Sequence, residues 1–334
     1  MYDILVIGAG ITGLLVVASL QKNGLTNIGI IDPYFNGGDL IHKYGLVNSN
    51  TPLQKTVNGL KLIDPNYEPP SDYDLTFDKT KTAPLYIHTQ LIQDFVKLHK
   101  IDCIQDKVKQ ITFLESIWNV DTLESSYKAK IVILCQGADS KKLNCGIPVI
   151  PLEEALIKDS LKKYLKPTDK VLVFGTAHSG SLVLQNCEDL QVQTTAIYRK
   201  EKPFYFANEG EYDGIKEDAE FIAKRILNNE FKYVKLISSQ SIEKLIKASK
   251  EATKVVYAIG FESRKLLTLF NNETYDSSKY DGRTGKIAEG LWGFGIAYPS
   301  LAPDEIHVDV GVISFAEHIL KQIPDMKEYL SKNR

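Results

Sequence analysis

No Cys-x-x-Cys pair occurs in the sequence, and its four cysteines (Cys103, Cys135, Cys145, Cys187) are too few to staple a chain of this length. A dithiol centre of that spacing is therefore excluded, a disulfide scaffold is not expected, and a reducing, cytoplasmic setting is. The six histidines are scattered, with no metal-ligand spacing and no Ser-His-Asp arrangement. An excess of one charge is also missing. The 42 acidic and 40 basic residues leave a net charge of -2 with no long block of either sign, so neither nucleic acid nor an anionic membrane surface is an expected partner. Lys-rich pieces such as 158–170 read as solvated faces. No apolar run approaches the ~20 residues of a membrane span. Ile4 to Leu20 is apolar, but it lacks a basic start and is interrupted by Gly8, Gly10 and Gly13, so a leader or anchor is not expected there.

A hydrophobic fraction of 43% in 334 residues is ordinary for a globular chain of two domains. The first organised motif is at the beginning. Tyr2 to Ile7 reads as a strand buried on both faces and runs into Gly8-Ala9-Gly10-Ile11-Thr12-Gly13. A helical pattern follows (Leu14, Leu15, Val17, Ala18, Leu20) and stops at Asn23-Gly24. The next strand, Ile28 to Ile31, ends in Asp32. Gly8 allows the tight turn, Gly10 a close approach of backbone to a pyrophosphate, and Gly13 the packing of helix on strand. The helix N-terminus offers free amides to phosphate oxygens. Asp32, 19 residues after Gly13, suits ribose hydroxyls and disfavours a 2′-phosphate, which leaves FAD or NAD at this site.

The motif recurs. Lys170 to Phe174 leads into Gly175-Thr176-Ala177-His178-Ser179-Gly180, a helix begins by Ser181, and Val192 to Tyr198 ends in Arg199-Lys200. Ala177 stands where the middle glycine belongs, so its methyl group pushes a pyrophosphate outward. Arg199 and Lys200 are read at the place of the acid. They suit a 2′-phosphate and so favour NADPH over NADH, unless they are surface charges ending a strand. His178 either touches the cofactor or packs.

Lys130 to Ala138 and Lys254 to Arg264 each read as a strand ending in a glycine turn. The simplest architecture is α/β, with two Rossmann-like domains, the second inserted in the first: 1–150 plus 261–334 around one dinucleotide, 165–258 around the other. Lys107 to Leu134 reads as an antiparallel ribbon. Tyr86 and His88 are read ahead of a helix from Ile92 to Leu98. Phe204 to Asn208 lines the cleft between domains, packs in a core or forms a surface loop.

On these residues the sequence resembles the two-dinucleotide-binding-domain flavoproteins of the pyridine nucleotide-disulfide oxidoreductase superfamily, which include thioredoxin-reductase-like enzymes and flavin-containing monooxygenases. The resemblance runs over nearly the whole chain, through Gly8/Gly10/Gly13 with Asp32, Gly175 to Gly180, Cys135 to Ala138 and Tyr257 to Phe261. It implies FAD at the first site and NADPH, with NADH admissible, at the second. Three details are similar to the monooxygenase branch: Gly37-Gly38, Asn48 to Pro52, and Ala258-Ile259-Gly260-Phe261. By that resemblance Asn50 is the catalytic candidate beside the flavin; otherwise it is a turn residue before Pro52. Implied cofactor contacts are Ile11, Thr12, Pro33, Gly38, Thr51, Gly137, Gly295 and Val310 at the first site. At the second they are Gly175, Ala177, His178, Ser179, Gly180, Arg199, Lys200 and Gly260.

Two departures stand out. The branch's Phe-x-Gly-x-x-x-His fingerprint is absent ahead of the second motif, and Ile296 replaces the usual aspartate beside Gly295. The helical pattern from Val312, after Asp309-Val310-Gly311, aims its amides at the flavin or simply docks. Cys135, ending a core strand, reads as a small apolar residue; spacing alone allows a disulfide with Cys145. Three functions remain open: a monooxygenase acting on a small nucleophile, a reductase serving another acceptor, and a flavin-binding protein without turnover. A small-molecule substrate is the expected partner, and a homodimer is admissible.

Overall fold

Strand Tyr2–Ile7 buries both of its faces: Ile4 and Val6 enter one apolar cluster, Leu5 and Ile7 another. That explains its unbroken run of Ile, Leu and Val. The computed structural model describes residues 1–70, 78–96, 98–204, 217–302 and 308–333. Five parallel strands form the centre of the larger sheet, in the order Leu291–Gly293, Ser126–Leu134, Tyr2–Ile7, Ile28–Ile31 and Asp102–Ile104. Strand Ser126–Leu134 has three partners, Tyr2–Ile7 along one edge and two more along the other. Its first half pairs antiparallel with Ile117–Thr122, which pairs with Val108–Leu114, giving the expected ribbon; its second half pairs with Leu291–Gly293.

Helix Ile11–Lys22 is buried continuously from Thr12 to Leu20, so it is held on all sides and not along one stripe. Each fully buried Leu or Val in it contributes about 1.5–3 kcal/mol. Asn23 closes it by donating from Nδ2 to the Ser19 carbonyl at 2.9 Å. The 21-residue helix Val312–Lys332 packs on it and on helix Leu53–Ile63.

A second, four-stranded parallel sheet is drawn wholly from Lys170 to Tyr257, in the order Val234–Ser238, Gln193–Tyr198, Lys170–Phe174, Lys254–Tyr257. In sequence it lies between two strands of the larger sheet. The chain leaves the larger sheet through strand Ala138–Ser140 and returns through Phe261–Ser263. These two segments pair antiparallel, Ser140 opposite Phe261 and Ala138 opposite Ser263. The fold is thus α/β with two Rossmann-like units, the second inserted in the first. The segments read as single strands, Lys130 to Ala138 and Lys254 to Arg264, are each broken at a glycine, and their distal pieces form this hinge ribbon.

Two expectations are corrected. The helix read from Ile92 begins at Leu85 and ends at Phe95. Pro84 takes its N-cap, and Ile87 and Leu91 recur on one buried face, so His88 is inside the helix and buried. Asn50 is on an irregular strand, Asn48–Pro52, paired with Thr82–Pro84, and not in a turn. In the segment Phe204 to Asn208, Phe204 is buried in the apolar core of the second unit; 205–208 lie outside the described residues.

Candidate functional site: two glycine turns and a hinge

The two glycine turns are built alike. Gly8 and Gly175 have φ of +102° and +99°, open to glycine and strained for other residues. A β-carbon on Gly8 would stand 2.5 Å from the Cys135 carbonyl oxygen, and one on Gly175 would strike the Ala258 carbonyl in the same way. One on Gly13 would overlap the Gly8 carbonyl oxygen, and one on Gly180 the Gly175 carbonyl oxygen. Those four glycines are demanded by packing within the protein.

Gly10 is different. It caps helix Ile11–Lys22 at φ -70° and ψ -178°, angles any residue adopts, and a β-carbon there would have nothing within 4 Å among the described residues. No contact among the described residues requires glycine at this place, and the space beside it is open. Gly37 forms an isolated parallel bridge with Gly10, and a β-carbon on Gly38 would lie 3.2 Å from the Gly10 Cα. The Gly37-Gly38 loop therefore forms one wall of the open space. Ala177 occupies Gly10's place in the second turn, capping helix His178–Asp189 at φ -76° and ψ -165°, with its methyl group half-buried. Among the described residues neither helix has a side-chain cap, and neither carries an acidic residue in its first turn, a setting that suits an anion at the N-terminus.

Asp32 is fixed by main-chain amides. Its Oδ2 accepts from Ala9 at 2.8 Å, and its Oδ1 from Tyr34 at 2.8 Å and Phe35 at 2.9 Å. Pro33, beside it, accepts from Gln105 Nε2 at 3.3 Å. In the second unit the register corrects the sequence reading. Gly8 donates to the Ile31 carbonyl and Gly175 to the Ile197 carbonyl, so Tyr198, not Arg199 or Lys200, is the counterpart of Asp32. Both cations follow one and two residues later and are exposed.

Other predicted residues gather around the first turn. Gly295 lies so close to Thr12 that a β-carbon would strike the Thr12 hydroxyl, which places the loop after strand Leu291–Gly293 on the first turn of helix Ile11–Lys22. Ile296 and Val310 leave large apolar side chains exposed, 43% and 56%. Gly311 caps helix Val312–Lys332, and Gly59 of helix Leu53–Ile63 abuts Val312. Asn50 and Thr51, just ahead of helix Leu53–Ile63, are half-buried, and the Asn50 amide makes no hydrogen bond among the described residues. His178 and Ser179 open the helix of the second turn. Gly137 and Gly260 stand at the two ends of the hinge ribbon, each with positive φ.

All four cysteines are free, so the Cys135–Cys145 disulfide that spacing allowed is not formed. Burial pushes the Cys135 thiol far up, and the Cys145 Sγ instead lies 2.8 Å from the Tyr257 hydroxyl. A cluster that no sequence motif signals, Arg264 with Asp39, Asp139 and Lys43, ties the hinge to the Gly37-Gly38 loop. Among the described residues no group of three or more His, Cys, Asp or Glu side chains is placed to hold a metal ion, and no helix is long and apolar enough to cross a membrane.

The donor set of the first turn fits a dinucleotide: an open approach at Gly10, free helix amides, and a carboxylate at the end of the neighbouring strand. A family model described as pyridine nucleotide-disulphide oxidoreductase matches residues 5–284. The monooxygenase AgnR1 of Paecilomyces divaricatus is 22% identical, over 96% of each chain. Among solved structures, the bacillithiol disulfide reductase Bdr of Staphylococcus aureus superposes with a TM-score of 0.66 at 12% identity, covering 100% of this chain and 99% of that one. The cadaverine monooxygenase DfoA of Erwinia amylovora, solved with FAD bound, gives 0.66 at 11%, covering 98% and 95%. These structural likenesses are likenesses of fold.

Proposed function

The chain belongs to the pyridine nucleotide-disulphide oxidoreductase family, and from that premise we propose a flavin-dependent enzyme with FAD on the first glycine turn and NADPH on the second. The observation that carries this is the pair of matched turns, with open space beside the glycine at Gly10. The FAD unit would comprise 1–150 with 261–334, and the nicotinamide unit 165–258. FAD, when bound, supplies the redox chemistry, accepting a hydride from the nicotinamide and passing electrons onward.

The side chains bind and orient. The Gly8–Gly13 turn and the amides of helix Ile11–Lys22 would hold the pyrophosphate, and the Asp32 carboxylate the ribose hydroxyls. Gly38, Thr12, Gly295 and the apolar Ile296 and Val310 would enclose the flavin end. Asn50, with an uncommitted amide, would hold a hydrogen bond at its reacting edge. Arg199 and Lys200 would receive the 2′-phosphate just beyond Tyr198.

The acceptor we favour is oxygen, one atom of which would go to a small nucleophilic substrate while the other, with the two electrons from NADPH and two protons, would leave as water. AgnR1, matched over nearly its full length, supports this, and so does the missing Cys-x-x-Cys. Cys135, held as a buried thiol, is a poor nucleophile for disulfide exchange. A second reading, flavin binding without nicotinamide turnover, is favoured by the Ala177 methyl group in the second turn. The test is NADPH-driven oxygen uptake across a panel of amines, thioethers and ketones. Oxygen consumption matched by oxygenated product supports the monooxygenase. Consumption returned wholly as hydrogen peroxide counts against it, and no NADPH consumption favours the second reading.

A further inference from the structure

Arg264 joins two stretches far from it and from each other in sequence, Asp39 and 136–139. Its guanidinium donates to the Asp39 carboxylate, to Asp139 Oδ1 from Nε at 3.2 Å and Nη2 at 2.8 Å, and from Nη1 to the Gln136 carbonyl at 3.2 Å. Its main chain is tied to the same turn: its amide donates to the Gly137 carbonyl at 3.2 Å, and its carbonyl accepts from Gln136 Nε2 at 3.0 Å. Lys43 braces the two carboxylates, 3.2 Å from Asp39 and 3.5 Å from Asp139. Hydrogen bonding to Arg264 holds the Asp139 carboxyl below its ordinary range, and the two carboxylates raise Arg264 in turn.

Each of these partners has its own place in the site. Asp39 follows Gly38, the wall of the open space at Gly10. Gln136 follows Cys135, whose carbonyl abuts Gly8. Asp139 is in the hinge ribbon, where Ala138–Ser140 and Phe261–Ser263 are the segments carrying the chain out to the four-stranded sheet and back. Beyond the ribbon, Asn48 Nδ2 donates to Asp218 of helix Glu217–Leu227 at 3.0 Å, and Tyr44 and Val47 share an apolar cluster with Val171, Val173 and Ala196. The strip from Gly38 to Asn48 therefore touches the first turn at one end and the second unit at the other, with Arg264 at its root.

The geometry points to Arg264 as a positioning residue that links occupation of the first glycine turn to the setting of the hinge. This rests on the reading of that turn as the FAD site. Filling the space beside Gly10 restrains Gly38 and Asp39. Through the guanidinium the restraint reaches Asp139 and the ribbon that sets the second unit, and by linkage a fixed hinge favours the filled site. The planar fork of arginine reaches both carboxylates and a carbonyl together, which an ammonium on a flexible stem does not.

Hydrogen exchange of the full chain, without and with FAD, tests this in wild type, Arg264→Gln and Arg264→Lys. In wild type FAD should slow exchange in 37–43 and also in 138–140 and 261–263, by about fivefold or more. In Arg264→Gln it should slow 37–43 but leave the hinge unchanged, with Arg264→Lys between the two. A residue that merely stabilises the fold would lower protection everywhere without abolishing the transmitted part. Equal hinge protection in wild type and Arg264→Gln would overturn the proposal, as would a wild-type hinge that ignores bound FAD. If FAD protects neither region, the FAD reading fails, and the apo-protein decides the link. Arg264→Gln must then quicken exchange in 39–43 and 138–140 together while 312–332 stays protected, and quickening of neither would overturn it.

Discussion

The Ala9 amide donates to Asp32 Oδ2 at 2.8 Å, so the first glycine turn and the acid ending the neighbouring strand are locked together by the protein itself. With Tyr34 and Phe35 on Oδ1, the carboxylate is oriented in advance, and lone pairs remain for ribose hydroxyls. Asp32→Asn replaces one acceptor oxygen by a donor facing an amide. It should cost the apo-protein about 1–3 kcal/mol in urea unfolding, and FAD affinity should fall with it. An unchanged unfolding midpoint would remove Asp32 from this anchoring role.

Gly10 and Gly13 should separate binding from folding. Gly13→Ala drives a methyl group into the Gly8 carbonyl and should destabilise by about 1–3 kcal/mol or more. Gly10→Ala meets nothing among the described residues and should melt with wild type while FAD affinity drops about tenfold or more. Thermal melting of both apo-variants beside FAD titration makes the comparison. A Gly10→Ala variant that binds FAD as wild type does would leave the open space without a function.

Ala177→Gly should restore the open approach in the second turn and tighten NADPH severalfold with little change in stability, since a helix N-cap accepts glycine more readily than alanine. Arg199→Ser should raise the KM for NADPH about tenfold and leave that for NADH nearly unchanged. Parallel steady-state assays with both nucleotides check this. A loss shared equally by the two would mean that Arg199 does not meet the 2′-phosphate.

Acid should weaken the fold in a defined window. Burial pushes His88 and His318 each down to about 4. Both are depressed below the unfolded value of about 6.5, so the unfolded chain binds more protons between these limits and stability falls as pH is lowered from about 6.5 towards 4. Each contributes on the order of 3 kcal/mol. Urea midpoints measured from pH 7.5 to 4 should show this slope in wild type and a shallower one in His318→Gln. Identical slopes would place the effect elsewhere.

Much of the frame was legible because local chemistry dictates it. Buried β-branched runs, glycine turns and the Asn23-Gly24 stop each record a requirement met within a few residues. The hinge ribbon was half-legible: the glycines after Cys135 and Tyr257 marked the breaks, but nothing in either segment announces that Ser140 pairs with Phe261. The Arg264 cluster left no trace, since Arg264 and Asp39 are 225 residues apart and meet only through the fold. The counterpart of Asp32 was misread because register, not counting from the glycines, decides which residue ends beside the turn, and the register gives Tyr198.

Reconstituting the purified chain with FAD and titrating it without oxygen, first with NADPH and then with NADH, tests both nucleotide sites at once. One FAD should bind per chain, and NADPH should bleach the flavin absorbance at lower concentration than NADH. A protein that takes up no FAD, or whose bound flavin neither nucleotide reduces, would contradict the proposed function.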